Sequence, residues 1–307
     1  MTEKDTVPPP LTESRNPATH DLDWLSVPEL VDRITDQDRQ ALQAVRAARE
    51  DIAHLVAMGV DVLRGGGRVH YFGAGSSGRL GVLDAAEVIP TFGVGPRVFV
   101  AHLAGGPAAM TEAVEEVEDD ADAGALDATE VTGADLAIGL SASGVTPYVG
   151  GALRRARATG AATALVSANP SAPLAADADL HIALATGPEA VTGSTRMKAA
   201  TAQKLVLTTF STAVMVRLGR TYSNLMVSLT AVNDKLRRRS VRVLCEAAAV
   251  DADAAGRALA AAGDDTRVAL VGLLADLPAD RARHLLARHG GSVTAVLRSA
   301  VNPVPEP

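Results

Sequence analysis

Between residues 68 and 185, short apolar runs rich in Val, Ile, Leu and Ala alternate with runs of helical periodicity. Apolar strands separated by helices require right-handed crossovers, which produce a mostly parallel sheet covered on both faces. The predicted strands are Arg68–Phe72, Arg97–Leu103, Ala134–Leu140, Ala162–Ser167 and Leu180–Ala185. The predicted helices between them are Leu80–Glu87, Met110–Ala123, Pro147–Thr159 and a short one near Leu174. The predicted fold class is therefore α/β, a three-layer sandwich around a five-stranded, mostly parallel sheet.

Helical patterns also flank this region. They predict a helix from Ser26, a second from about Asp36 to Leu63, and later helices over Ser194–Leu218 and Leu225–Leu244. From about Glu246 the chain consists of short, alanine-rich helical runs separated by turns. The predicted division is a flexible arm (1–25), an α/β domain with N-terminal helices (26–245), a small helical, UBA-like domain (246–301) and a disordered tail (302–307).

Composition excludes several classes of partner. The chain has 29 Lys and Arg against 36 Asp and Glu, a net charge of −7, which argues against a nucleic-acid or anionic-membrane surface. Its one cysteine, Cys245, cannot form an intramolecular disulfide and fits a reducing cytosol, where it is expected to be a small buried apolar residue. The N-terminus resembles no signal peptide, and no uncharged apolar run reaches about 18 residues. We therefore expect a cytoplasmic protein.

The first predicted strand runs into a glycine- and serine-rich turn, Gly73-Ala74-Gly75-Ser76-Ser77-Gly78. Glycines allow a tight turn and leave amide N–H groups uncovered. A helix that begins after such a turn directs those amides and its positive dipole end at one point, which suits an anion. We interpret the turn as a phosphate-binding loop that uses Gly75, Ser76 and Ser77.

A second polar turn, Ser141-Ala142-Ser143-Gly144-Val145-Thr146-Pro147, follows the third strand. Thr146 has the position of a helix N-cap and Pro147 that of the first helical residue. Taken alone, this is equally well an ordinary capped turn. Two serine-rich turns at the carboxyl edge of one parallel sheet favour a shared phosphate site. Its candidate residues are Ser141, Ser143, Gly144 and Thr146.

The first turn also satisfies the dinucleotide fingerprint G-x-G-x-x-G, which is weak by itself. A dinucleotide fold should carry an acid about 20 residues further on to hold the ribose. No acid occurs between Val88 and Thr111. Nicotinamide cofactor binding therefore ranks below a sugar phosphate.

Three further segments contain polar residues whose roles the pattern leaves open. Leu11–Asn16 is either a solvated arm or an arm that folds over a ligand. Gly187–Ala199 opens a helix with Ser194, and its charged residues Glu189, Arg196 and Lys198 are by default ordinary helix-start charges. Glu115, Glu116 and Glu118 form an acidic run typical of a solvated helix face. Glu87 is different, because it lies on a largely apolar helix and so needs a partner or a task.

With these stretches in view, the chain closely resembles the N-acetylmuramic acid 6-phosphate etherases, whose core is the sugar isomerase (SIS) domain. The matching stretches are Leu11–Asn16, Gly73–Glu87, Val114–Asp120, Ser141–Tyr148 and Gly187–Leu207. The chain departs from the family pattern mildly. Val88 and Ile89 replace Cys and Pro, Ala200 replaces Gly, and Glu116 replaces Gly.

The resemblance implies release of D-lactate from the sugar, leaving N-acetylglucosamine 6-phosphate, in the recycling of cell-wall amino sugars. It implies no metal and no organic cofactor, and it places the two catalytic glutamates at Glu87 and Glu118. Glu115 and Glu116 remain alternatives to Glu118. Two other classes remain open, a non-catalytic sugar-phosphate sensor on the same domain and an aldose–ketose isomerase.

Two carboxylates suffice for the implied chemistry. In the ring-opened sugar, C1 is an aldehyde, so the proton on C2 is acidic and the lactate at C3 can be eliminated before water re-adds. One carboxyl acts as base and the other as acid, and the roles then reverse. We assign Glu87 as the acid and Glu118 as the base, which a raised pKa in apolar surroundings would help. Ten helical residues from Ser77 to Glu87 rise about 15 Å. That span predicts a homodimer whose sites use both subunits.

Overall fold

The computed structural model describes residues 11–228 and 234–301. The predicted tail, 302–307, lies outside the described residues, as do the first ten residues of the predicted arm. Contacts divide the chain into two compact units. The first comprises the residues up to Ala85 together with Arg97–Ser211, and the second comprises Ala86–Pro96 and the residues from Thr212 onward.

The first unit is built on a five-stranded sheet. Its strands are β1 (Val69–Gly73), β2 (Phe99–Leu103), β3 (Leu136–Leu140), β4 (Ala162–Ser167) and β5 (Leu180–Ala183). The order is β2-β1-β3-β4-β5 and every pair is parallel, which confirms the predicted fold class. Every residue of β1 and β3 is buried, as expected for central strands covered on both faces.

The helices that accompany the sheet are α1 (Val27–Ala47), α2 (Arg49–Arg64), α3 (Gly75–Phe92), α4 (Ala121–Asp127), α5 (Pro147–Ala158) and α6 (Lys198–Arg217). α3 and α6 each continue from the first unit into the second. At the start of α1, the Glu29 carboxylate accepts a hydrogen bond of 2.9 Å from the Ser26 amide, half of a capping box. The predicted break near Asp36 was wrong, because the α1 pattern continues to Ala47 and the chain turns at Ala48 instead.

The prediction of one helix over Met110–Ala123 was also wrong. Residues 111–120 are irregular, and Glu116 has a left-handed backbone with φ of 64°. α4 begins only at Ala121, where the Asp120 side chain accepts a hydrogen bond of 2.8 Å from the Ala123 amide. An N-cap aspartate and a left-handed residue both interrupt a helix that periodicity alone would continue.

The second unit contains a helical core. Its helices are α7 (Asp234–Ala248), α8 (Ala252–Ala261), α9 (Thr266–Ala275), α10 (Ala279–Arg288) and α11 (Val293–Val301). Leu244 of α7 is buried with Leu259, Leu270 and Leu286, so the expected domain boundary after residue 245 falls inside α7. Cys245 is half-buried against the same core.

The helix predicted over Leu225–Leu244 begins at Asp234, after residues 229–233, which lie outside the described part of the chain. Residues 225–228 are not helical, and Leu225 forms an isolated bridge with Tyr222 instead. The basic cluster of α7 is largely exposed, and Arg237 pairs with Asp264 at 2.9 Å. Throughout 11–228 and 234–301, no helix is both long enough and apolar enough to span a membrane.

Candidate functional site

The two polar turns lie side by side at the carboxyl edge of the sheet. β1 and β3 are neighbours in parallel register, and Gly73 at the end of β1 is paired with Leu140 at the end of β3. The turns that follow, 74–78 and 141–146, therefore leave the sheet at one edge. β1 leads outward to β2 on one side while β3 and β4 continue on the other, so this is the switch point where α/β sheets bind ligands.

The first turn is tight because two glycines face each other. A Cβ on Gly73 would lie 2.8 Å from the Gly78 Cα, and one on Gly78 would lie 2.4 Å from the Gly73 carbonyl oxygen. α3 begins at Gly75, five residues earlier than predicted. The first-turn amides of a real helix therefore belong to this loop, and such amides have no acceptors within the helix.

The serines of the first turn have different surroundings. The buried Ser77 hydroxyl donates to Gln203 Oε1 of α6 at 2.7 Å, and Gln203 Nε2 donates to the Val166 carbonyl at 3.3 Å. The predicted role of Ser77 as a hydroxyl donor to a ligand was therefore wrong for this conformation, because its proton is already engaged. Half-buried Ser76 has no side-chain hydrogen bond to any residue that the structure describes, which leaves its hydroxyl available.

The second turn is organised by its own hydroxyls. Ser141 Oγ lies 2.8 Å from Thr146 Oγ1 and accepts from the Gly144 amide at 3.0 Å. Thr146 is the N-cap residue of α5 by position, as predicted, although its side chain faces Ser141 rather than a helix amide. The Ser143 carbonyl oxygen accepts a hydrogen bond of 2.9 Å from Asn169 Nδ2. These contacts fix the turn from within and from the segment after β4.

Glu118 is held beside this second turn. Its carbonyl oxygen accepts a hydrogen bond of 3.0 Å from the Tyr148 amide, in the first turn of α5. The neighbouring Val117 side chain packs against the core beneath α5, whereas Glu115 and Glu116 are exposed. Glu118 is itself exposed, so the apolar surroundings expected for the base are not found in this chain.

Glu87 lies in the second unit, while every other predicted site residue lies in the first. It is on α3, which confirms that one helix carries both Ser77 and Glu87. Its side chain is exposed, and its carbonyl oxygen accepts a hydrogen bond of 2.6 Å from Thr91 Oγ1. The first unit therefore brings together the two turns and Glu118, and Glu87 stands apart from them.

Sequence reasoning missed two buried charges in the third segment. Glu189 is fully buried, and its carboxylate accepts hydrogen bonds of 2.9 Å from both the Lys198 and Ala199 amides, so it caps the start of α6. Lys198 is also buried, and its Nζ donates to Gln40 Oε1 at 2.6 Å. Burial lowers the pKa of Lys198, an effect that Glu189 opposes. Ser194 is half-buried in the loop between these two residues.

The segment predicted as an arm is tied down where it is described. Residues 11–24 form three short 3₁₀ turns, Leu11–Glu13, Pro17–Thr19 and Leu22–Trp24. Buried Asn16 donates to Gln37 Oε1 at 2.7 Å and to the Pro188 carbonyl at 3.1 Å. Buried Thr19 donates to the Ala190 carbonyl at 2.8 Å. The solvated alternative was therefore wrong for Asn16 and Thr19, because each is buried against the segment after β5.

A cavity of about 260 Å³ lies between this arm and the residues after Glu189. Its lining consists of Arg15, Asn16, Thr19, His20, Leu22, Asp23, Ala190, Val191 and Thr192. Over the described ranges, no group of three or more His, Cys, Asp or Glu residues is arranged to hold a metal ion.

A buried carboxyl lies midway along α3. Asp84 accepts hydrogen bonds from the Tyr71 hydroxyl at 2.9 Å and from the Ser211 hydroxyl at 3.0 Å. Burial raises the pKa of Asp84 from 3.8 to about 6, against the effect of these donors. This group joins β1, α3 and α6, and the sequence does not single it out because a lone aspartate on a helix carries no distinctive pattern.

Comparisons with known proteins agree with this architecture. Residues 46–157 match the family model described as glucokinase regulatory protein N-terminal SIS domain, and residues 108–213 match the SIS domain model. An N-acetylmuramic acid 6-phosphate etherase of Thermobifida fusca is 56% identical over 263 residues, which cover 86% of each chain. One of Pectobacterium atrosepticum is 47% identical over 289 residues, which cover 94% of this chain and 95% of that one. A solved structure of a sugar-phosphate-sized match from E. coli CFT073 aligns with a TM-score of 0.49 at 20% identity, covering 65% of this chain and 97% of that one.

Proposed function

Because this chain belongs to the N-acetylmuramic acid 6-phosphate etherase family, we propose that it cleaves the lactyl ether of N-acetylmuramic acid 6-phosphate. The products are D-lactate and N-acetylglucosamine 6-phosphate, as required in the recycling of cell-wall amino sugars. The observation that carries the proposal is the hydrogen bond between the Tyr148 amide and the Glu118 carbonyl, which fixes an acidic residue beside two adjacent serine-rich turns.

In this proposal the phosphate binds at the sheet edge. The loop amides and the hydroxyls of Ser76, Ser143 and Ser194 are its donors, and the α3 dipole favours its charge. Gly75 and Gly144 have φ of 51° and 72°, which lets the backbone approach the ligand closely. Ser77 and Ser141 position the turns through Gln203 and Thr146. No metal or organic cofactor is part of the proposed reaction.

The reaction proceeds as an elimination followed by a hydration. The Glu118 carboxylate removes the proton from C2 of the ring-opened aldehyde, and the electron pair forms an enolate that is conjugated with C1. The enolate expels the lactate oxygen from C3 as the Glu87 carboxyl protonates it. The roles then reverse: Glu87 removes a proton from water as the water adds to C3, and Glu118 returns a proton to C2. One water molecule is consumed and one D-lactate is released.

We further propose that the functional protein is a cytoplasmic homodimer with composite sites. Ser77 and Glu87 lie on one helix, and ten helical residues rise about 15 Å, which is longer than one sugar phosphate spans comfortably. Glu87 of one protomer therefore serves the turns of its partner. The 246–301 segment is proposed as a separate helical domain outside this chemistry.

The decisive experiment is incubation of the purified chain with N-acetylmuramic acid 6-phosphate and an assay for D-lactate. Glu118→Gln and Glu87→Gln should each lower kcat by about 10²–10⁴-fold, the usual contribution of a positioned acid or base. Glu115→Gln removes an exposed acid from the same segment and should leave the rate nearly unchanged. In D2O, the sugar product should carry deuterium at C2.

Alternative results identify the other classes. A ketose product without lactate would identify an isomerase, and binding of the sugar phosphate without turnover would identify a sensor. Mixed dimers of Glu87→Gln and Ser143→Ala chains test the shared site. Recovery of about a quarter to a half of the activity is expected, and no recovery would count against sharing.

A further inference from the structure

The cavity between the N-terminal arm and Ala190–Thr192 has walls that are held by buried hydrogen bonds. Asn16 and Thr19 line it from the arm, and each is buried. Asn16 Nδ2 reaches the Pro188 carbonyl at 3.1 Å, and Thr19 Oγ1 reaches the Ala190 carbonyl at 2.8 Å. Because these buried donors bridge the two sides, the walls are fixed relative to each other. The cavity is therefore a built feature of the first unit.

The charges around the cavity select the type of anion. Arg15 lines it, and the Arg15 guanidinium has no hydrogen-bond or ion-pair partner within the described ranges. Asp23 also lines it and contributes a negative charge. A ligand with a single negative charge can pair with Arg15, whereas a dianionic phosphate would be repelled by Asp23. A planar guanidinium also matches a carboxylate through two parallel hydrogen bonds.

The rest of the lining is partly apolar. Leu22, Ala190 and Val191 offer hydrocarbon surface beside Arg15. We propose that this cavity is a subsite for a carboxylate attached to a small apolar group, with Arg15 binding the carboxylate. On the proposed function, this ligand is the lactyl group of the substrate, which carries one carboxylate and one methyl group, or the D-lactate released from it.

The position of the cavity fits this role. Its wall residue Ala190 follows Glu189, which caps α6, and Thr192 precedes Ser194 by two residues. α6 in turn carries Gln203, which holds Ser77 of the first turn. A ligand at Arg15 would therefore contact the same segment that supplies Ser194 to the phosphate site. The cavity and the phosphate-binding turns are thus joined through α6.

The chain contains its own reporter for the test. Trp24 is the single tryptophan, and it is 87% exposed directly after the lining residue Asp23. Titration of the full chain with D-lactate should give a saturable change in Trp24 fluorescence, and inorganic phosphate at the same concentrations should give none. Arg15→Met should weaken D-lactate binding at least about tenfold, since a charge-assisted pair is lost, and Arg15→Lys should restore part of it.

Two further variants sharpen the result. Arg39→Met removes an exposed arginine of α1 that does not line the cavity, and it should leave the affinity unchanged. Asp23→Asn removes the repulsive charge, so phosphate should now change the Trp24 fluorescence. With the sugar substrate, Arg15→Met should raise KM more than it lowers kcat. Equal loss of binding in Arg15→Met and Arg39→Met, or equal binding of phosphate and D-lactate to the unmodified chain, would overturn the proposal.

Failure of this subsite is distinguishable from failure of the proposed function. If the chain releases D-lactate from the sugar but free D-lactate neither alters Trp24 fluorescence nor inhibits the reaction, the subsite is wrong and the function stands. If D-lactate binds in an Arg15-dependent manner but no lactate is released from the sugar, the monocarboxylate site stands and the etherase activity is wrong.

Discussion

The Tyr148 amide donates a hydrogen bond of 3.0 Å to the Glu118 carbonyl oxygen. This contact joins an irregular segment to the start of α5, two residues after the N-cap residue Thr146. A loop glutamate is thereby positioned by the same helix whose first turn borders the phosphate-binding turn. The contact depends on how closely α4 and α5 approach each other, which leads to the first prediction.

Gly151→Ala should separate α4 from α5. A Cβ at Gly151 would lie 1.9 Å from the Ala121 carbonyl oxygen, so the backbone of one helix must move. We expect a loss of about 1–3 kcal/mol in the free energy of unfolding, typical of overpacking, together with reduced lactate release because the Glu118 segment shifts. Urea unfolding followed by far-UV circular dichroism, and the lactate assay, measure the two effects.

Gly65→Ala is the matched control for this change. A Cβ at Gly65 meets only ordinary contacts at 3.4 Å, and the φ of −72° suits alanine. Both stability and activity should stay close to those of the unmodified chain. Similar behaviour of the Gly65 and Gly151 variants would show that the close approach of α4 and α5 does not position Glu118.

Asp84→Asn should stabilise the protein at neutral pH but not in acid. The pKa of Asp84 is raised to about 6, so the folded state binds this proton more tightly than the unfolded state does. That contribution to stability is complete below pH 3.8 and is lost as the pH rises through 6. The asparagine keeps a carbonyl acceptor for Tyr71 and adds a donor for Ser211, and it avoids the loss. The gain should approach roughly 3 kcal/mol above pH 6.

Urea unfolding of both chains at several pH values between 4 and 8, followed by far-UV circular dichroism, measures this difference. The stability difference should grow between pH 4 and 6 and stay constant above that. Asp61→Asn, at an exposed position of α2, provides the comparison. A difference that does not change with pH would contradict the assignment of the effect to Asp84 ionisation.

Asn16→Ala should release the arm from the segment after β5. The substitution removes two donated hydrogen bonds and leaves the buried Gln37 Oε1 without its donor, a change that costs about 1–3 kcal/mol. The Gly193 amide donates to the Thr12 carbonyl at 3.2 Å, so its hydrogen exchange reports attachment of the arm. Exchange at Gly193 should accelerate in Asn16→Ala. It should remain unchanged in Gln43→Ala, which removes an exposed amide side chain from α1.

Much of the fold could be predicted because it is written in local patterns. The predicted strand Ala162–Ser167 agrees with the structure at both ends, and the other four agree within two residues. Buried parallel strands need near-continuous apolar runs, and crossover helices need their own periodicity, so each element identifies itself. The irregular segment before α4 was missed because a left-handed Glu116 and an N-cap at Asp120 override a periodic pattern.

The sequence by itself determined the fold class, the two polar turns at one sheet edge, and the family through motifs that span nearly the whole chain. Only the tertiary structure decided how the polar side chains are used. It directs the Ser77 hydroxyl to Gln203, 126 residues away, and the Asn16 amide to Pro188, 172 residues away. It also buries Glu189 as the cap of α6. Apolar burial follows a period that neighbouring residues reveal, whereas a polar group is satisfied by whichever distant partner the fold brings to it, and that choice leaves no local pattern.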